Sequence, residues 1–122
     1  MRTMKTMAVT KRDLRELDKL EEYLKKNGTR YTRRDEEYVF AGMFEGKFVE
    51  YPYDRHQIVV FDPKEVQLWD AVCQFGSYGG EQGLLEIMGD IVEEGEGDVV
   101  GFLTADDVIE RIERKAKNDT GA

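Results

Sequence analysis

Residues 56–75 contain the feature that most constrains the fold, a pair of strand-like stretches on either side of a turn. Residues 56–61 are mostly β-branched or aromatic, a composition that favours a strand. Asp62 and Pro63 follow, and they suit the start of a β-turn because aspartate accepts backbone hydrogen bonds and proline presets φ. Residues 67–75 return to the strand pattern. The sequence therefore predicts an antiparallel hairpin over 56–75.

Three segments ahead of this hairpin also have the composition of strands, namely 30–34, 37–44 and 48–51. Residues 45–47, with the sequence EGK, lie between the last two segments and are typical of a hairpin turn. Pro52 has no N–H for a sheet ladder, so we expect it to end its strand or to mark a sheet edge. The sequence predicts an antiparallel sheet of about four strands built from hairpins.

Helices are predicted before and after these strands. Leucines at helical spacing, with Thr10 as the N-cap and Gly28 as the stop, predict a helix over 11–26. A glycine-rich stretch after the last strand is expected to open a short helix over 84–88.

A final helix is predicted after Thr104, because Asp107 stands at the spacing of a capping box. Strands that come in hairpins, instead of alternating with helices, indicate an α+β fold with one N-terminal and two C-terminal helices. The length fits one domain, which we place at 10–117. Residues 1–9 are expected to form a flexible leader and 118–122 a frayed tail.

The chemistry of the chain is bounded by its single cysteine and single histidine, Cys73 and His56. One cysteine forms no disulfide within the chain, which fits a reducing cytoplasm, and no apolar run approaches the roughly 20 residues of a membrane span. A zinc site of cysteines and histidines is excluded within one chain. The weakest functional alternative is an enzyme built on His56 with Cys73, or on Ser77. We expect no enzymatic activity, no cofactor and no metal.

The net charge of −8 is unevenly distributed. Residues 1–34 carry 11 basic and 5 acidic side chains, a net of +6, whereas 35–122 carry a net of −14. The acidic part disfavours direct binding to nucleic acids, because their phosphates would be repelled. The glutamates and aspartate of 93–98 lack the spacing of an EF-hand loop and indicate a solvated loop.

The glycine-rich stretch 76–83 is the first candidate binding site. Its four glycines allow backbone N–H groups to point at a phosphate or carboxylate, and Tyr78 could stack on a base. The stretch matches neither a P-loop nor a dinucleotide fingerprint, so a tight structural turn is the alternative interpretation.

A basic cluster around Arg30, Arg33 and Arg34 is the second candidate, since it could hold phosphates, reach into another subunit's site or simply protect a sheet edge. These two features predict a small anionic ligand and a homo-oligomer. The candidate ligand-binding residues are Gly76, Ser77, Tyr78, Gly79, Gly80, Arg30, Arg33, Arg34, Arg55 and His56.

Four segments of the chain carry a resemblance to a known group of proteins: DRHQIVV at 54–60, WDAVCQFGSYG at 69–79, GLLE at 83–86 and LTADDVI at 103–109. In these segments the chain resembles small uncharacterised proteins of phages and prophages of Firmicutes, Clostridia in particular. The resemblance implies a mobile-element origin and the cytoplasm of a bacterial host, and it carries no catalytic residues.

Two functions remain open from the sequence. The first is a non-enzymatic phage binding protein that counters a host defence by sequestering a small anionic nucleotide signal. The second is an acidic, anti-CRISPR-like protein inhibitor that mimics the charge of a nucleic acid and binds a host defence protein.

Overall fold

The computed structural model describes residues 11–120, which form two helices and five strands in one α+β domain. Residues 80–82 form one further turn of 3₁₀ helix. The elements in chain order are α1 (Arg15–Lys26), β1 (Arg30–Phe44), β2 (Lys47–Phe61), β3 (Gln67–Val72), β4 (Leu85–Gly89), β5 (Val99–Leu103) and α2 (Ala105–Thr120).

The strands form one antiparallel sheet in the order β1-β2-β3-β4-β5, so each strand pairs with its neighbours in sequence. The predicted hairpin is confirmed, with Val59 opposite Asp70, although its second strand ends at Val72 and not at Phe75. Its turn forms as expected, since the Asp62 carboxylate accepts hydrogen bonds from the N–H groups of Lys64 and Val66 at 2.8 and 2.9 Å. The sheet has five strands where about four were predicted.

β1 and β2 are each unbroken over 15 residues, so the predicted interruptions within them are wrong. Pro52 lies inside β2 opposite Val39. β2 pairs with β3 only from Gln57 onward, which leaves one edge of β2 open around Pro52, and an open edge accommodates proline. The predicted turn at 45–47 is confirmed, because Glu45 and Gly46 both have positive φ angles, as a tight hairpin turn requires.

The predicted helix over 84–88 is wrong, because Leu85–Gly89 is strand β4. Leu85 and Ile87 are buried and Glu86 between them is half-buried, which is the alternation of a strand with one covered face. Strand β5 was not anticipated from the sequence. One C-terminal helix therefore follows the sheet, not two.

The helix ends differ in detail from the prediction. α1 begins at Arg15 and not at 11, and the Asp13 carboxylate accepts the Arg15 N–H at 3.1 Å; Thr10 and the leader 1–9 lie outside the described residues. The capping box of α2 is confirmed by reciprocal bonds between Thr104 and Asp107 at 2.9 and 3.1 Å. α2 continues to Thr120, so the predicted tail begins within the helix.

Both helices pack on the same face of the sheet, so the domain has two layers. Neither helix of the described residues is long and apolar enough to cross a membrane. The opposite face of the sheet, called the outer face, is covered by no helix among residues 11–120. Fully buried side chains between the layers include Leu17, Leu20, Leu24, Ile58, Leu85, Ile87 and Val108.

Candidate functional site

The glycine-rich stretch 76–83 is a tight turn whose backbone groups are largely bonded within the chain. Five of its N–H groups donate hydrogen bonds within the chain. Each N–H of Ser77, Gly80, Gln82 and Gly83 donates to the carbonyl oxygen three residues earlier. The Tyr78 N–H donates to Oε1 of Glu86. These N–H groups are therefore engaged and do not point at an outside anion.

Close packing explains why glycines stand in this turn. A side chain at Gly80 would bring its Cβ to 2.5 Å from Gln74 O and from the Ser77 hydroxyl. Gly79 has a φ of +93°, and a Cβ there would lie 2.9 Å from the Leu84 side chain. The glycines therefore serve the turn itself, which agrees with the structural alternative for this stretch.

An ionic chain of four side chains lies next to this turn, at the point where β1 and β2 leave the sheet. The Arg12 guanidinium binds both oxygens of Asp54, at 2.7 and 2.8 Å. His56 Nε2 lies 2.9 Å from Asp54 Oδ2, and His56 Nδ1 lies 2.7 Å from Asp35 Oδ1. The contact between Nδ1 and Asp35 is a hydrogen bond, whereas the contact between Nε2 and Asp54 is a close approach of the two charged or polar groups.

The ionic chain is joined to the glycine-rich turn by two further bonds. Arg12 Nη1 donates to Gly80 O at 2.9 Å, and the Phe75 N–H donates to Asp54 Oδ1 at 3.0 Å. The turn, the segment before α1 and strand β2 are thereby held together at one point.

The carboxylates of the ionic chain are stabilised in their charged form. The hydrogen bond from Arg12 lowers the pKa of Asp54 and outweighs the opposing effect of burial. Burial raises the pKa of Asp35, but hydrogen bonds from His56 and Arg33 outweigh it, so the pKa lies below its ordinary value.

Cys73 and His56 do not form a nucleophile and its base. Burial raises the pKa of the Cys73 thiol to about 11, so it is protonated at neutral pH. Both ring nitrogens of His56 face carboxylates, so neither is directed at Cys73. The Ser77 hydroxyl donates to Gln74 O at 2.8 Å, which uses its proton in the turn.

No cluster of three or more potential metal ligands exists among residues 11–120. The acidic loop over 93–98 is instead bound by α2: Arg111 lies 2.6 Å from Glu96, and Arg114 lies 2.7 Å from Glu93. The hydrogen bond from Arg111 lowers the pKa of Glu96 to about 2. Arg111 and Arg114 thus bind the loop, a role that the sequence had not indicated.

The predicted ligand-binding arginines do not meet in one place. Arg33 lies on the helix side, where it binds Asp18 and Glu21 of α1 at 2.7 and 3.1 Å. By strand alternation Arg30, Arg34 and Arg55 belong to the outer face. Of the predicted site, His56 and the base of the glycine-rich turn are brought together, through Asp54.

The most distinctive surface is one that the sequence reasoning missed, the projecting hairpin of residues 36–55, called the arm. β1 and β2 pair with each other along the arm and with no third strand of the described residues. Its exposed large apolar side chains are Tyr38, Val39, Phe40, Met43, Phe44, Phe48 and Tyr51. A signal was present in the sequence, because the run 38–44 (YVFAGMF) is apolar at consecutive positions and so on both faces of a strand.

No family model matches the chain, and no curated protein and no solved structure shows significant similarity to it.

The arm is anchored at its base. The rings of Tyr38 and Tyr53 stack across the two strands with centroids 5.0 Å apart, and Phe75 of the glycine-rich segment tilts against Tyr53 at 6.4 Å. The ionic chain lies at the same end of the arm but on its opposite face, through Asp35 and Asp54. The turn and the ionic chain therefore hold an exposed apolar arm on the body of the domain.

Proposed function

We propose that the protein is a non-enzymatic binding protein that acts by contacting another protein through its arm. The observation that carries the proposal is exposure: Val39, Phe40, Met43, Phe44, Phe48 and Tyr51 are each more than half exposed. Large contiguous apolar patches are rare on proteins that act alone, and they mark sites of interaction.

The charge of the arm favours a basic partner. The arm contains five acidic and two basic residues. On its helix-side face Glu37 and Glu50 flank the apolar Val39, Met43 and Phe48. An apolar strip bordered by carboxylates suits a basic groove of the kind that binds nucleic acid, where apolar contact supplies affinity and charge supplies specificity. This supports the role of an acidic inhibitor of a host defence protein, in line with the resemblance to phage proteins.

The proposal is tested by capturing host proteins on the immobilised chain. A basic nucleic-acid-binding protein should be retained at about 50 mM salt and released at higher salt, because surface attraction is screened. The variant Val39→Ser/Met43→Ser/Phe48→Ser should lose that protein. The control Val66→Ser changes an exposed apolar residue outside the arm and should retain it. Equal capture by the triple variant and the control would contradict the proposal.

Sequestration of a small anionic nucleotide is the second candidate function. Its support is the exposure of the aromatic rings of Phe75 and Tyr78 beside the glycine-rich turn, since such rings stack on bases. A cyclic nucleotide should then raise the melting temperature of the protein, whereas inorganic phosphate should not. Tyr78→Ala should abolish that rise. An unchanged melting temperature across a nucleotide panel would remove this candidate.

A further inference from the structure

The arm has two faces of different chemistry, because neighbouring residues of a strand point to opposite sides. Residues that pair across the arm share a face. The outer face of the arm combines Glu36, Tyr38, Phe40, Gly42 and Phe44 of β1 with Lys47, Val49, Tyr51, Tyr53 and Arg55 of β2. The helix-side face includes Val39, Met43 and Phe48.

We propose that the outer face of the arm binds the same face of a second copy of this chain, with the two arms antiparallel across a two-fold axis. This proposal rests on the proposed function, because both take the arm as the binding element. It adds that one face of the arm is occupied by a second copy of the chain. The helix-side face stays free for the basic partner in the resulting dimer.

The outer face is complementary to itself in shape. It contains a hollow of about 170 Å³, lined by Phe40, Gly42, Phe44, Val49 and Tyr51 and, from the neighbouring helix-side position, by Met43. This volume is close to that of a cavity of roughly 150 Å³ that accommodates benzene. Gly42 contributes no side chain to the hollow, and the Phe40 ring lies over this glycine: a Cβ at Gly42 would lie 3.3 Å from that ring.

Rings that line the hollow are themselves exposed, so they can contact the hollow of a second copy. Phe40 and Tyr51 lie opposite each other in the middle of the arm, and both are more than half exposed. In a two-fold arrangement each copy offers a ring and a hollow, which is the reciprocal relation that an isologous interface requires.

Charge complementarity selects the antiparallel orientation. Glu36 stands at the base of the arm and Lys47 at its tip, both on the outer face. Oε2 of Glu36 is buried without a hydrogen-bond partner among residues 11–120, while its Oε1 lies 3.4 Å from Arg34 Nε; Lys47 forms none of the ion pairs found among the same residues. Antiparallel arms place the tip of one copy over the base of the other, so Lys47 of the second copy approaches the Glu36 carboxylate. Parallel arms would instead bring Lys47 against Lys47 at the tip, and Glu36 with its cross-strand neighbour Arg55 against the same two residues at the base.

The available area approaches that of a specific dimer of modest affinity. The rings of Tyr38, Phe40, Phe44 and Tyr51 are exposed by 37, 62, 68 and 54 %. At about 200 Å² for each fully exposed ring, they present roughly 450 Å² per copy and about 900 Å² for two copies. The remaining residues of the face add to this value, which brings it near the lower limit of about 1,200 Å² for specific interfaces.

Analytical ultracentrifugation of the full chain at 1–200 μM tests the proposal. We expect a reversible dimer of about twice the 14.1 kDa chain mass, with a dissociation constant in the micromolar range. Phe40→Ser/Tyr51→Ser changes the outer face and should give a monomer. Val39→Ser/Phe48→Ser changes the helix-side face to the same extent and should leave the dimer unchanged.

Lys47 provides a second variant that leaves the apolar side chains intact. Lys47→Glu should weaken the dimer about tenfold, whereas Lys47→Arg should retain it, because only the charge at the tip is altered. Unchanged circular dichroism of each variant shows that the fold is kept. A wild-type chain that stays monomeric at 200 μM, or a dimer that only the helix-side variant dissociates, would overturn the proposal.

The capture experiment separates this proposal from the proposed function. Phe40→Ser/Tyr51→Ser should lose the dimer and still capture the basic partner through the helix-side face. Loss of the dimer with no partner captured by the wild type would retain this inference and remove the proposed function. A monomeric wild type that captures the partner would remove this inference and retain the proposed function.

Discussion

Asp54 is the residue on which most of the interactions at the base of the arm converge. Its carboxylate accepts hydrogen bonds from Arg12 and from the Phe75 N–H, and it lies 2.9 Å from the imidazole of His56. The side chain is only 9 % exposed, so water cannot replace these partners. The free energy of unfolding should therefore depend strongly on this one carboxylate.

Asp54→Asn should lower the free energy of unfolding by about 3 kcal/mol, because it removes one partner of a largely buried ion pair and leaves Arg12 uncompensated. Urea denaturation followed by circular dichroism measures the change. Asp106→Asn is the matched control, since its ion pair with Lys19 is exposed and should be worth less than about 0.5 kcal/mol. Equal effects of the two substitutions would contradict the importance of the ionic chain.

Stability should fall in acid because Asp54 and Asp35 both have pKa values below the ordinary value in the folded state. The unfolded chain takes up protons at about pH 4, before the folded chain does. The stabilisation is thus complete above about pH 4 and is lost as the pH falls through the lowered folded values. Urea midpoints between pH 7 and pH 2 should show this fall, and Asp54→Asn should show a shallower one.

The thiol of Cys73 should be unreactive in the native protein. It is buried, and with a pKa of about 11 only about 0.1 % of it is ionised at pH 8. A disulfide reagent such as DTNB should therefore label it very slowly in buffer and completely within minutes in guanidinium chloride. Rapid labelling in buffer would show that the core around Cys73 opens readily.

The helices and strands differ in whether neighbouring residues or distant contacts determine that they form. α2 begins at a capping box in which Thr104 and Asp107 satisfy each other's N–H groups, so its start is set by four consecutive residues. β4 has no such local signal, and its pairing with β3 and β5 decides that it is a strand.

Thr104→Ala should cost about 1 kcal/mol of stability, because the Asp107 N–H loses its acceptor at the start of α2. Thermal or urea unfolding measures the loss. Thr104→Ser keeps a hydroxyl in place and should be within a few tenths of a kcal/mol of the wild type. A serine variant as unstable as the alanine variant would show that the cap bond contributes little.

The whole molecule consists of a two-layer body and an arm that adds little to the core. Fully buried side chains come from the two helices and from the part of the sheet beyond the arm. The arm provides exposed apolar surface, and the ionic chain at its base connects it to the body. The body therefore contains most of the core, and the proposed binding surface lies on the arm.

Removal of 38–53 should leave the body folded. Glu37 and Asp54 face each other across the arm, so an Asn-Gly pair between them can form a tight hairpin turn. The truncated chain should have a midpoint of urea denaturation close to that of the wild type, because the ionic chain is kept. Partner capture and dimerisation should both be lost. An unfolded truncated chain would show that the arm is part of the folding unit.

The sequence by itself determined those features that neighbouring residues encode. The apolar stripe of α1, the capping box of α2 and the turn at Asp62 each need only a few consecutive positions, and each was predicted correctly. A composition with a single cysteine and a single histidine likewise limits the chemistry that any fold of this chain can support.

Only the tertiary structure decided what the remaining segments do. Arg12 meets Asp54 and Gly80 from 42 and 68 positions away, so no local pattern could reveal the ionic chain or show that the glycine-rich turn uses its own amides. A short apolar run such as 84–88 suits either a helix or a strand, and pairing settles which one forms. The apolar run 38–44 is exposed because the sheet ends before it, and exposure depends on what surrounds a residue, not on the residue itself.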